Sequence, residues 1–357
     1  MAENNIKEQF SALHKEIEYT AKKGLTLPPK GESLQGFLKD SWKSFKFILT
    51  EKENVFFALL QLGAIALGYY IWVQIIGWIP EEVWEEISDN DSAGLLINIV
   101  FLVWSFICVG LVAYPIGILT ACMGASYTLH SEQQESTILK CLKIVLKRSW
   151  PLWIFSWFDG WLTVDRILDH LPKKKNRTPR AVKIFKELVY QAWKIATLGI
   201  IPALVYGRTV TDACKDSFGL LKNRFIELGK LRVAYSLICW IISILCYLSL
   251  IVFFPIIMKF QEAHNLSGIF AFYLFAGVPM IFALCFIMVV FRPLYIISST
   301  RIYIDYAKEK QVECQFSQES SGGISAFIGY IVLIAIILII ILFKDQLGIT
   351  YILQHNL

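Results

Sequence analysis

The chain has 357 residues, of which 56% are hydrophobic and only 18% charged, and its mean hydropathy is +0.54. Soluble domains average about 25% charged residues, so this composition excludes a soluble globular protein. It predicts an all-α integral membrane protein, because the apolar blocks reach the roughly 20 residues that cross a bilayer. The formal charge of +5 is not evidence of a nucleic-acid partner, since Lys and Arg also set membrane orientation.

Residues 1–54 are predicted to form cytoplasmic amphipathic helices. Apolar residues recur at helical spacing from Ile6 to Ile17 and again from Leu34 to Ile48. The second helix combines a basic face with aromatic residues, which is typical of helices lying on a bilayer surface. Packing against the protein's own spans is an equally good interpretation. No signal-peptide pattern is expected before the first apolar segment.

Residues 55–129 are predicted to contain the first two spans. An acidic loop without Lys or Arg follows Ile79, which assigns that loop to the outside and the N-terminus to the inside. The uncharged stretch 92–129 is too long for one simple span at 1.5 Å per residue, and Pro115 is a predicted kink. Small residues recur there every four positions and predict a helix-packing face rather than a permeation path. They are Ala113, Gly117, Ala121 and Ala125.

Residues 130–232 form a basic region that the positive-inside rule assigns to the cytoplasmic side. Segment 149–164 has its tryptophans on one helical face, as interfacial helices do, and its uncharged part is too short to span. Segment 188–206 is nearly span-length but is broken by Pro202. The two segments are predicted to form a re-entrant pair. The alternative is a two-span hairpin with its basic loop outside, which gives seven spans.

This region contains the candidate contacts with membrane lipids, because Lys and Arg near a bilayer attract anionic head groups. Lys194 is the basic residue within an otherwise apolar run. Intramembrane ionisable residues are functional candidates, but anchoring by reaching towards the head groups is the preferred interpretation of Lys194. The candidate lipid or interface contacts are Trp150, Trp153, Trp157, Trp161, Lys173, Lys174, Lys175 and Lys194.

The rest of the chain is predicted to contain three spans. Two of them occupy residues 233–291, a cytoplasmic connection covers 292–323, and the last span with a short outside tail covers 324–357. The complete prediction is therefore five transmembrane helices plus interfacial or re-entrant amphipathic helices, with the N-terminus inside.

Three stretches resemble an uncharacterised family of prokaryotic multi-pass membrane proteins. They are SWKSFKFILTEKE at Ser41–Glu53, QAWKIATLGIIPALVY at Gln191–Tyr206 and DACKDSFGLLKNRFIELG at Asp212–Gly229. The resemblance covers about residues 36–235 and implies a bacterial inner membrane. That family has no known activity, so the resemblance implies no site residue. The chain departs from it in the basic connection KKKNRTPR and in an added N-terminal helix.

The sequence contains no pattern typical of a catalytic site, and we expect no cofactor. Nucleotide-binding, hydrolase and metalloprotease motifs are missing, and neither the histidines nor the cysteines have metal-ligand spacing. Asp159, Asp165 and Asp169 fit solvated charges better than a metal or catalytic site. The favoured hypothesis is a non-enzymatic scaffold or accessory subunit that contacts inner-leaflet lipid, a membrane protein partner or a second copy. The alternative is a transporter or channel for a lipid or other amphiphile.

Overall fold

The computed structural model describes residues 47, 51–78, 91–170, 180–263, 268–314, 323–344 and 346. Within these ranges all regular elements are helices. In chain order they are α1 (Lys52–Ile76), α2 (Asp91–Ser131), α3 (Ile138–Leu146), α4 (Ser149–His170), α5 (Arg180–Ala196), α6 (Ile200–Val205), α7 (Val210–Ala263), α8 (Gly268–Phe286), a π-helical turn (Ile287–Phe291), α9 (Arg292–Glu309) and α10 (Gly323–Leu342). Several predictions lie outside the described residues: the N-terminal helices up to residue 46, the acidic loop at 79–90, the basic residues Lys173, Lys174 and Lys175, and the tail from residue 347.

Five helical stretches of the described chain are long and apolar enough to cross a membrane, which confirms the predicted all-α membrane fold. The orientation, with the N-terminus inside, stays a prediction. The candidate spans are Lys52–Ile76, Leu102–Ser131, Val210–Leu250, Gly277–Glu309 and Ile324–Leu342.

Several observed helices run past the predicted span boundaries. α7 has 54 residues and joins an amphipathic segment to the third span, with non-helical backbone angles at Arg224. α8 likewise continues through the π-helical turn into α9. Charge density marks where the apolar part of such a helix ends, but it does not end the helix, because Lys, Arg and Glu are good helix formers.

α2 lies at the centre of the bundle and packs antiparallel to α1. Gln61 on α1 donates to Thr120 Oγ1 at 2.8 Å, and Trp72, further along α1, donates to Ser105 Oγ at 3.1 Å. The four small residues of the predicted packing face on α2 are all buried: Ala113, Gly117, Ala121 and Ala125. On its other sides α2 contributes to one apolar core shared with α6, α7 and α9.

Pro115 interrupts the hydrogen bonding of α2, and the last span compensates for it. Proline has no N–H, so the carbonyl oxygen of Leu111, four residues earlier, loses its partner within the helix. The hydroxyl of Tyr330 on α10 donates to this oxygen at 2.8 Å. The Tyr330 ring also stacks on Tyr114, with centroids 4.4 Å apart. The neighbouring helix α10 thus provides the hydrogen bond to the Leu111 carbonyl oxygen that lipid hydrocarbon cannot provide.

We expect Tyr330→Phe to lower the free energy of unfolding by about 1–2 kcal/mol, because it leaves the Leu111 carbonyl unsatisfied in an apolar environment. The measurement is the midpoint of unfolding by sodium dodecyl sulfate in mixed micelles. Pro115→Ala is the matched background, since it restores the N–H within α2. In the Pro115→Ala background, Tyr330→Phe should lower the free energy of unfolding clearly less than in the wild type. An equal loss in both backgrounds would show that the Tyr330 hydroxyl does not compensate for Pro115.

All eight cysteines lie in the described part of the chain and are free thiols. Cys141 on α3 is fully buried. Burial, reinforced by the carboxylates of Glu53 and Glu51, raises the pKa of its thiol to about 12. The thiol therefore stays protonated at physiological pH and contributes as a small apolar side chain.

Candidate functional site

The tryptophan-rich helix α4 packs along α2 rather than standing apart from the spans. Trp153 Nε1 donates to the Gly110 carbonyl oxygen at 2.8 Å, and Trp157 Nε1 donates to the Phe106 carbonyl oxygen at 3.0 Å. The rings of Trp153 and Trp157 stack with centroids 5.5 Å apart. A buried indole N–H needs an acceptor, and here backbone carbonyls of the second span supply it.

Two glycines on α2 make this close contact sterically feasible. A Cβ atom at Gly110 would lie 2.6 Å from the indole of Trp157. A Cβ atom at Gly117 would overlap the Ser156 hydroxyl and come within 2.9 Å of the Leu152 carbonyl oxygen. Small residues at a membrane helix interface allow the two backbones to approach closely, so Gly117 belongs to the surface that holds α4.

α4 runs antiparallel to α2 and reaches well into the depth of the spans. Leu152 lies at Gly117, and eight residues further along α4, Gly160 faces Val109. The 22 residues of α4 extend about 33 Å at 1.5 Å per residue, which is comparable to the hydrocarbon thickness of about 30 Å. α4 is not among the five candidate spans of the described chain, so the re-entrant pair and its two-span alternative both stay predictions.

α5 returns antiparallel along α4, and the two helices form an ion pair. Lys194 Nζ donates to both carboxylate oxygens of Asp159 at 2.6 Å. The pair is flanked by an edge contact between Trp193 and Phe158, at 5.1 Å between centroids. The Tyr190 ring lies 5.4 Å from Lys194 Nζ. Because Asp159 is next to Gly160, the ion pair lies at the depth of Val109, inside the second span.

The ion pair reaches the surface of the bundle. The exposed fractions are 15% for the Lys194 side chain and 31% for the Asp159 side chain. A cavity of about 200 Å³ between α1, α2 and α10 has a mostly apolar lining that includes neither residue. The two charges therefore lie outside this cavity and remain partly accessible at the surface of the described bundle.

Further polar groups surround the ion pair from α5, α7 and α9. Arg232 Nε donates to Gln191 Oε1 at 3.3 Å, and Gln191 Nε2 donates to Glu187 at 2.7 Å. Arg232 is also hydrogen-bonded to the Tyr295 hydroxyl. Tyr295 in turn stacks on Tyr235 with centroids 4.5 Å apart. The hairpin is thus joined to the third and fourth spans through polar contacts.

Arg292, the first residue of α9, extends the cluster towards α2. Its guanidinium group donates to Met288 Sδ at 3.4 Å and to Thr120 Oγ1 at 3.5 Å, the second at the outer limit of a hydrogen bond. Thr120 Oγ1 also accepts from Gln61 on α1. Arg292 lies within electrostatic range of Asp159. We refer to Asp159, Lys194, Arg232 and Arg292 as the charged cluster.

The structure places the predicted lipid-contact residues in different environments. Trp150 is 57% exposed, Trp153 and Trp157 bond to α2, and Trp161 makes an edge contact with Phe106. Lys194, for which the sequence suggested anchoring, is held by Asp159. Asp165 and Asp169 belong to α4, but their side chains lie outside the described set. No group of three metal-binding side chains occurs among the residues that the structure describes.

Sequence reasoning missed Arg232 and Arg292 as members of the cluster. Both sit at the ends of predicted spans, where positive charge is ordinarily explained by orientation. One sequence feature could have identified them. Each arginine lies three residues before a tyrosine next to an apolar segment, Arg232 before Tyr235 and Arg292 before Tyr295. Only the packing of α5, α7 and α9 shows that these residues meet.

Comparisons with known proteins return no match to a family model, to a curated protein or to a solved structure. The resemblance drawn from three sequence motifs therefore stays a prediction. The described fold establishes a polytopic α-helical membrane protein, and the arguments for its function come from the charged cluster.

Proposed function

We propose that this non-enzymatic membrane protein binds amphiphilic molecules at the α4–α5 hairpin and moves them between the two leaflets. The observation that carries the proposal is the Lys194–Asp159 ion pair, which joins α4 to α5 at the level of Val109 in the second span and is partly exposed at the bundle surface. Polar head groups cross hydrocarbon slowly because it offers them no hydrogen-bond partners. An ion pair at this depth offers such partners along the way.

The charged cluster favours this transport proposal over a scaffold. Ionisable groups inside a membrane are costly and are typical of substrate pathways. A scaffold requires packed apolar helices and charges at the interface, and it does not require an ion pair at span depth. The transporter hypothesis, which the sequence supplied as the alternative, therefore has the better structural support. The bacterial inner membrane, implied by the resemblance, is part of the proposal.

The test is a lipid-movement assay in sealed proteoliposomes that contain a phospholipid with a nitrobenzoxadiazole label. Dithionite added outside bleaches only the label in the outer leaflet. We expect reconstituted protein to expose the inner-leaflet label to bleaching as well. Equal bleaching with and without protein would refute the proposal, provided that the vesicles stay sealed.

The decisive variant is the double substitution Asp159→Leu and Lys194→Met, which replaces the ion pair by apolar side chains of similar size. Such replacements of buried ion pairs often preserve the fold, so lost lipid movement would be attributable to lost polarity. Lys215→Met is the matched control, because Lys215 is 79% exposed in an ion pair with Asp212 and lies 17 residues, about 25 Å, before Arg232 along α7. It should behave as wild type.

The scaffold or accessory-subunit hypothesis is a second candidate, and the last span supports it. α10 exposes a row of large apolar side chains, including Ile324, Ile328 and Val332 with at least half of their surface accessible. A partner helix or a second copy would fit such a face as well as lipid does. Native mass spectrometry after gentle extraction distinguishes the candidates, since a stoichiometric second protein would favour the subunit.

A further inference from the structure

The positive charge of Arg292 lies well inside the helix bundle, where a cation needs an anionic partner or hydrogen-bond acceptors. Its guanidinium group reaches Thr120, which is bonded to Gln61 on α1. Gln61 is nine residues from the start of α1 at Lys52, which corresponds to about 13 Å along the helix. A guanidinium group stays protonated in proteins, so Arg292 brings a permanent positive charge into the bundle.

Lys194 has a carboxylate partner, whereas Arg232 and Arg292 contact only neutral groups among the described residues. Lys194 is neutralised by Asp159, and Arg232 is connected through Gln191 to Glu187. Around Arg292 the described residues provide only a thioether and a hydroxyl within bonding distance, with no carboxylate inside 4.0 Å. The charged cluster therefore has one carboxylate for three cations, and Arg232 and Arg292 share its excess positive charge.

The backbone just before Arg292 is also unusual. The residues Ile287–Phe291 form a π-helical turn, and the Arg292 N–H bonds back to the carbonyl oxygen of Ile287, five residues earlier. Single π-turns within α-helices are rare and occur frequently at functional sites. The extra residue in this turn changes the helix face on which the following residues lie. Arg292 comes directly after the turn, and its side chain contacts Thr120 on the central helix α2.

On the basis of the proposed function, we infer that the amphiphile is anionic and that Arg292 binds its phosphate group. A guanidinium group matches phosphate with two parallel charge-assisted hydrogen bonds. An incoming phosphate would supply the anionic partner that the described surroundings of Arg292 lack. The partly exposed Lys194–Asp159 pair would serve as the polar approach to this site from the bundle surface.

The test measures lipid binding rather than movement. Purified protein in phosphatidylcholine nanodiscs is titrated with phosphatidylglycerol, and bound lipids are counted by native mass spectrometry. We expect Arg292→Gln to weaken phosphatidylglycerol binding about tenfold, the equivalent of one charge-assisted hydrogen bond, and to leave phosphatidylcholine binding unchanged. Arg301→Gln, nine residues further along the same helix, is the matched control and should bind as wild type.

A second variant keeps the inference testable if Arg292→Gln does not fold. Arg292→Lys preserves the charge but loses the paired geometry, so we expect a loss of about threefold. Folding of each variant is checked by its elution profile and helical circular dichroism. Unchanged phosphatidylglycerol binding in whichever of these variants folds would overturn the assignment of Arg292.

Adding inorganic phosphate to the same titration separates two sources of the ligand. Loss of bound phosphatidylglycerol in millimolar phosphate, dependent on Arg292, would support a phosphate site that also accepts the free ion. No competition, together with the loss in Arg292→Gln, would support a lipid head group. Protein that binds through Arg292 but moves no labelled lipid would refute the proposed function alone. Lipid movement without any dependence of binding on Arg292 would refute the phosphate site alone.

Discussion

Replacing Asp159 by alanine is expected to lower the free energy of unfolding by about 3 kcal/mol. Removing one partner of a buried ion pair typically costs about 3–5 kcal/mol, because the remaining charge is left without compensation. The lower end applies here, since 31% of the Asp159 side chain is exposed. Lys194→Ala should have a similar effect. The measurement is the midpoint of unfolding by sodium dodecyl sulfate, followed by circular dichroism.

The double variant used in the transport assay provides the control for this stability prediction. Asp159→Leu with Lys194→Met removes both charges and leaves the edge contact between Phe158 and Trp193 in place. We expect it to be clearly more stable than either single alanine variant, because no uncompensated charge remains. If the double variant loses as much free energy of unfolding as the two single alanine variants together, the two side chains act independently. The ion pair would then not stabilise the α4–α5 hairpin.

Gly117→Ala is expected to destabilise the protein by about 2–3 kcal/mol, the upper part of the range for overpacked sites. The added methyl group would overlap the Ser156 hydroxyl and approach the Leu152 carbonyl oxygen to 2.9 Å. A backbone carbonyl cannot move aside without moving α4 itself. We therefore also expect the contact between α4 and α2 to loosen, with lower activity in the lipid-movement assay.

Two further glycines make this prediction a graded series. At Gly110 the added methyl group would meet the Trp157 ring, which can shift, so Gly110→Ala should cost less than Gly117→Ala. At Gly63 on α1 no described atom lies within 4 Å. Gly63→Ala should therefore be neutral or stabilising by up to about 1 kcal/mol through helix propensity. Equal effects at Gly63 and Gly117 would show that the α2–α4 interface does not depend on close approach.

The amino-acid sequence by itself determined the class of fold and the five apolar helices. Hydrocarbon accepts only segments whose backbone bonds are satisfied internally, so runs such as Ile324 to Phe343 are helical wherever they pack. The same local physics indicated a close-packing surface on α2, because a small-residue repeat is visible within one helix. It also singled out Lys194, as an ionisable residue in an apolar run.

Only the tertiary structure decided what the individual polar residues contact. Lys194 and Asp159 are 35 positions apart in the sequence, and Arg292 meets Thr120 across 172 positions. Helix periodicity gives the face of a residue but not the helix that faces it. The tryptophans show the same limit, since an interfacial stripe and a stripe bonded to a neighbouring span have the same spacing. A tryptophan stripe bonds to a neighbouring span only where small residues such as Gly110 and Gly117 lie opposite it. This contact involves two helices, so the sequence of either helix alone does not specify it.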